Sequence, residues 1–188
     1  MNDKAKKITT AAALLAICIV SQFFKNFSVY ITGPIINACL ILAVVYCGLF
    51  WSVIIAILTP VTAFLITGAP IMKVVPAIMP LVMAGNVVLV VVFWLFVRKK
   101  KDLIKFIAGG IVGSVAKGAF MALTISYGVL ATVTLPEAMQ PMLPKLQLTY
   151  SVTQLVTALI GLGYALVIWA ALKKAFPGSE SGSKDSDK

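Results

Sequence analysis

The chain alternates long apolar runs with short polar or basic breaks. A helix needs about 20 apolar residues to cross a bilayer. Six stretches meet that need, some of them by sharing tight turns. They cover roughly 8–24, 34–48, 50–67, 76–97, 103–129 and 149–172. The pattern predicts an all-α integral membrane protein, a compact bundle of six transmembrane helices. The break between the second and third spans is the least marked. It rests on Tyr46–Trp51, where aromatic residues and Gly48 suit a membrane interface.

The first apolar run follows a basic start, as in a signal peptide. No A-x-A cleavage site follows, and the run reaches Phe24, so it is read as a retained first helix. No polar block divides the hydrophobic part. One membrane domain over 1–175 is expected, followed by the polar tail 176–188, which reads as disordered and cytoplasmic.

Composition agrees with this reading. Hydrophobic residues make up 61% of the 188 and charged ones 12%. Soluble domains lie nearer half apolar and a quarter charged. The net charge of +10 does not point to nucleic acid, because the charges sit at the ends of apolar runs. Six spans place both termini on one side. With that side cytoplasmic, twelve of the 16 Lys and Arg lie inside and three, Lys25, Lys73 and Lys145, lie outside. Lys117 is the remaining one. The asymmetry follows the positive-inside rule and predicts a multi-pass cell-membrane protein with both termini cytoplasmic.

Catalytic signatures are missing. The sequence contains no Gly-rich phosphate loop, no C-x-x-C and no H-E-x-x-H. It has no histidine, and its cysteines, Cys18, Cys39 and Cys47, sit in apolar runs. Neither a metal site nor a disulfide framework is expected. The six acids all lie outside the spans, so no carboxylate pair can run acid–base chemistry or a proton relay. The chain is not expected to be an enzyme or to bind a cofactor. If it moves a solute uphill, ATP is hydrolysed by partner subunits.

Candidate chemistry is therefore confined to polar groups inside the spans. Lys117 lies midway along span 5. An ionised lysine at the bilayer centre costs roughly 2.5–3.5 kcal/mol on the insertion scale, so it should face the bundle interior or a wet cavity. Helical spacing puts Gly113, Met121, Thr124 and Gly128 near its face. In span 6, Tyr150, Thr153, Gln154 and Thr157 follow i, i+3, i+4, i+7 spacing. Asn86 stands at mid-depth in span 4. Donors, a cation and aromatic surface together suit a small-ligand pocket. Each residue also has a plainer use. Thr153, Gln154, Thr157 and Asn86 serve equally well as helix-to-helix hydrogen bonders, and Lys117 is either a ligand contact or a lysine satisfied by carbonyls. Ala12 and Ala16 in span 1 form a small-xxx-small pair, which suits close helix approach inside or outside the bundle. The proline-rich segment LATVTLPEAMQPMLPKLQL is either an ordered cap or an ordinary connector.

The size and six-span layout resemble the substrate-binding S component of an energy-coupling factor vitamin transporter. So do Ala12–Ala16 in span 1, the stretch GPIINACLILAVVYCGLFWSVIIAILTPVTAFLITGAP with its TP and TG-x-P, and the basic loop after span 4. The resemblance covers roughly residues 8–175. It implies high-affinity capture of a water-soluble vitamin and ATP-driven import, with docking onto a transmembrane coupling subunit that carries two ATPases. Ala12 and Ala16 would form the docking surface. Lys117, Asn86, Tyr127, Tyr150, Gln154 and Thr124 become pocket candidates, with Lys25, Asn26 and Tyr30 as contacts from a lid loop. Many relatives carry a glutamate near the position of Asn86, so the substrate does not transfer directly. A lysine without an acidic partner suits an anionic vitamin, with pantothenate first and pyridoxine-type, niacin and riboflavin vitamins open. A structural membrane protein of the rod-shape-determining type and a self-sufficient dimeric transporter are the alternatives.

Overall fold

Each predicted span is a helix in the computed structural model, which describes residues 2–24, 28–100 and 102–175. The expectations for Lys25, Asn26 and the tail 176–188 fall outside the described residues. Helix α1 is Asp3–Gln22, α2 is Val29–Cys47, α3 is Leu49–Thr67 and α4 is the short Pro70–Val74. Helix α5 is Ile78–Val97 and α6 is Leu103–Met121. The chain continues as a π-helix over Ala122–Val129 and a last turn, α7, Leu130–Thr132. A 3₁₀ turn, Glu137–Met142, leads into α8, Leu143–Thr149, and then α9, Val152–Ala175. Six stretches are long and apolar enough to cross a membrane: Asp3–Gln22, Val29–Cys47, Leu49–Thr67, Ile78–Val97, Leu103–Thr132 and Glu137–Ala175. No strand occurs among the described residues.

Local signals set the helix ends. Asn2 caps α1 by accepting from the Lys4 amide, Ser28 caps α2 through the Tyr30 amide, and Asp102 caps α6 through the Lys105 amide at 2.9 Å. Such caps satisfy amides that have no partner within the helix. The Ser28 cap starts α2 five residues before Pro34, so this proline lies inside the helix rather than at its start. Between α2 and α3 the chain reverses at Gly48, whose φ of 83° is strained for any residue with a Cβ.

Helix α2 is the hub. It packs against α1, α3, α5 and α9, and every residue from Ala38 to Val45 is buried. This is why span 2 shows no amphipathic pattern: a helix enclosed by its neighbours is apolar all round. The main core runs along α2 into Leu89, Phe93, Phe106 and Trp169. Phe106 stacks on Trp169 with ring centroids 4.8 Å apart and meets Phe93 edge-on. A second core lies at the end of the bundle opposite the basic loop between α5 and α6. There Met72, Ile78, Met121, Ile125 and Tyr150 pack together. The proline-rich segment is ordered at this end, with Met139, Leu143 and Leu146 against the second core. Ser126 Oγ donates to the Gln147 carbonyl at 2.8 Å, and Gln147 Nε2 donates back to the Ser126 carbonyl. The three cysteines are free and buried.

Candidate functional site: a lysine between two amides

Helix α6 turns one stripe inward. Phe106, Gly110, Gly113, Lys117 and Met121 are buried at three- and four-residue spacing, with Gly109, Ser114 and Gly118 beside them. The small residues bring α6 close to α5 and α9, which lets the long side chain of Lys117 reach across the bundle. It is 2% exposed. Its Nζ donates to Asn37 Oδ1 of α2 at 2.7 Å and to Asn86 Oδ1 of α5 at 2.8 Å. The third N–H of an ammonium has no partner among the described residues.

The orientation of Asn86 follows from a proline. Pro60 lies inside α3 and has no N–H to give to the carbonyl four residues earlier, that of Ala56. Asn86 Nδ2 donates to that carbonyl at 3.3 Å. With its amide nitrogen engaged there, Asn86 presents its oxygen to Lys117. We expect Pro60→Ala to restore the helical bond to Ala56, release Asn86 and weaken binding at this site several-fold. Helix content should hold or rise, because Pro costs about 3 kcal/mol in a helix interior. Paired binding and circular dichroism measurements check this. Unchanged binding would mean that Asn86 is held by something else.

These side chains line a cavity of about 100 Å³ in the half of the bundle away from the basic loop. Its walls come from α2 (Thr32, Gly33, Asn37), α3 (Thr59, Pro60, Ala63), α4 (Met72), α5 (Val82, Asn86), α6 (Lys117) and α9 (Gln154). Gln154 Nε2 donates to the Thr149 carbonyl at 3.2 Å, and its Oε1 has no partner among the described residues. Asn37 Nδ2 likewise has none. Thr32 donates to the Ser21 carbonyl and Thr59 to that of Ile55, so both hydroxyl protons are used and lone pairs remain. The site offers N–H donors at its floor and amide or hydroxyl oxygens around them. Polar groups that can bond a small molecule thus face a cavity whose other walls are apolar.

Of the residues singled out in the sequence, the structure brings Lys117, Asn86 and Gln154 to this cavity. Tyr150 is buried in the second core instead. Tyr127 and Tyr30 are 70% and 55% exposed, and neither lines the cavity. Thr124 donates to the Phe120 carbonyl at 2.7 Å and is not a lining residue either. The reason is the π-helix from Ala122, which widens the turn and ends the 3.6-residue register extended from Lys117. Thr153 and Thr157 are buried, and Thr157 bonds back to the Thr153 carbonyl. Ala12 and Ala16 are exposed on the outer side of α1. Asn37 was not anticipated. An amide in an otherwise apolar span was its signal, the same cost argument that picked out Asn86.

A bundle of six helices long and apolar enough to cross a membrane is the architecture of a multi-pass membrane protein. The family described as ECF transporter, substrate-specific component, matches residues 6–172, and the chain belongs to that family. Curated proteins and solved structures give no match. Membership makes the chain the substrate-specific subunit of a transporter, working with a membrane-embedded energy-coupling module, rather than an enzyme.

Proposed function

We propose that this subunit captures a small anionic vitamin at Lys117 for an ATP-driven importer. The observation that carries this reading is the Lys117 Nζ, buried on the cavity wall between two neutral amide oxygens. No acid of the chain neutralises it among the described residues, and a ligand carboxylate or phosphate would complete its third hydrogen bond. Pantothenate remains a candidate. The cavity volume of about 100 Å³ favours the smaller anionic vitamins, since pockets for drug-sized ligands measure roughly 300–1,000 Å³. Pantothenate would need the cavity to widen. Denaturing the gently purified protein and weighing what it releases tests this. A carboxylate- or phosphate-bearing molecule of vitamin mass is the expected product. A bound cation, or failure to bind pantothenate, nicotinate or any other anionic vitamin offered, sinks the reading.

The delivery step follows the same family logic. The subunit would sit in the cell membrane with both termini cytoplasmic, as the lysine asymmetry favours. It would dock on a transmembrane coupling subunit, served by two ATPases, through Ala12 and Ala16. Their small side chains on the exposed side of α1 permit close helix approach. Ala12→Leu/Ala16→Leu should abolish co-purification with the coupling subunit and uptake of the vitamin while leaving ligand affinity within about twofold. Uptake at the wild-type rate would remove the docking role from this strip.

A further inference from the structure

A second cavity lies on the flank of the bundle, away from Lys117. Helices α1 and α9 each pack on α2, and between them they leave a cleft of about 300 Å³. Its floor runs from Ile35 to Tyr46 on α2, and its walls include Leu14 and Ile17 of α1 and Ile168 and Leu172 of α9. Ile17 and Ile168 are 50% and 42% exposed, so the cleft faces the bilayer. We propose that it binds an acyl chain of an anionic glycerophospholipid, whose headgroup phosphate is held by Lys6 and Lys7.

Length, chemistry and charge converge on this occupant. Eleven residues separate Ile35 from Tyr46, about 16 Å of helix. That is about one leaflet of a ~30 Å hydrocarbon core. The lining is almost wholly apolar, which suits a hydrocarbon chain and gives a polar vitamin nothing to bond. The Tyr46 end of the cleft lies at the basic end of the bundle. There Thr10 closes the α1 wall, and Lys6 and Lys7, exposed, precede Thr10 by four and three residues, so they flank the same helix face. The partial positive charge at the start of α1 adds to theirs. Ala12 and Ala16 lie roughly 150° around α1 from this wall at 100° per residue, so the lipid site and the strip proposed for docking are separate surfaces.

Native mass spectrometry of the full chain tests this. The protein is stripped of lipid in detergent, then titrated with phosphatidylglycerol or phosphatidylcholine of identical chains. Phosphatidylglycerol should bind more tightly, by about fivefold for each lysine engaged. Lys6→Gln/Lys7→Gln should erase that preference. Ile17→Trp and Ile168→Trp, which fill the cleft from opposite walls, should each reduce adducts of both lipids. Equal affinity of the wild type for the two lipids would overturn the proposal, as would undiminished phosphatidylglycerol binding in both tryptophan variants. Loss of the coupling subunit alone from those variants would instead assign the cleft to a partner helix. If a tryptophan variant does not fold, the lysine variant decides: a preference that survives it overturns the proposal.

Discussion

Replacing Lys117 with methionine should raise the dissociation constant for the captured vitamin by about 10- to 100-fold and move thermal stability little. The binding loss follows from one hydrogen bond to a charged group, which contributes about 1.5–3 kcal/mol, at about 1.4 kcal/mol per tenfold. Stability is governed by two opposing effects. Methionine leaves Asn37 Oδ1 and Asn86 Oδ1 without their donor, and each buried unpaired acceptor costs about 1–3 kcal/mol. Against that, the folded state no longer holds an amine away from water, a penalty of several kcal/mol when it is charged. Methionine keeps the chain length and fills the same space. Calorimetric titration with the vitamin recovered from the wild type, alongside thermal unfolding, separates the two. Lys117→Arg should not rescue binding, because a planar guanidinium does not fit where a compact amine bridges two amides. Full binding by the methionine variant, with a collapsed melting temperature, would make Lys117 a structural bolt.

How much of this was legible in the sequence depends on the range of the interaction. The spans were readable because membrane insertion imposes a length and a polarity on each segment separately. Even the weak break at Gly48 was readable, since aromatics and a glycine suit an interface, and the chain reverses there at positive φ. Lys117 and Asn86 stood out because polar groups at mid-span are costly wherever their partners are. Partners were harder. Lys117 and Asn37 are 80 residues apart, and no local pattern relates them. An acid is the partner a lysine marks out by charge, but a neutral amide oxygen serves an amine donor equally well and carries no such mark. Thr124, placed by helical spacing, was misplaced for a local reason. The π-helix at Ala122–Val129 changes the register, and a calculation at 3.6 residues per turn cannot foresee it. The role of Pro60 was hidden too. TP marked a motif, but the consequence for the Ala56 carbonyl needs the position of Asn86 in space.

Gly161→Ala, a single added methyl group, should damage both the fold and the site. A Cβ there would lie 2.7 Å from Asn37 Cβ, 2.7 Å from the Pro34 carbonyl oxygen and 3.1 Å from the Ala38 amide nitrogen. Two of these are backbone atoms of α2, which no rotamer change can move aside. Helices α2 and α9 must therefore separate, as small residues at membrane helix contacts otherwise prevent. Overpacking costs about 1–3 kcal/mol, against at most about 1 kcal/mol gained from replacing glycine in a helix. The strain falls on the residue that accepts from Lys117, so the 2.7 Å bond to Asn37 should lengthen and vitamin affinity should fall along with the melting temperature. Gly163→Ala is the matched control. It lies on the same helix two residues on, with nothing within 4 Å of its added Cβ, and should leave binding unchanged while stability holds or rises. A loss of equal size in both variants would trace the damage to glycine's flexibility in α9. A loss confined to Gly161→Ala locates it at the contact where α9 meets α2 beside Asn37, and ties the packing of the hub helix to the affinity of the cavity for its ligand.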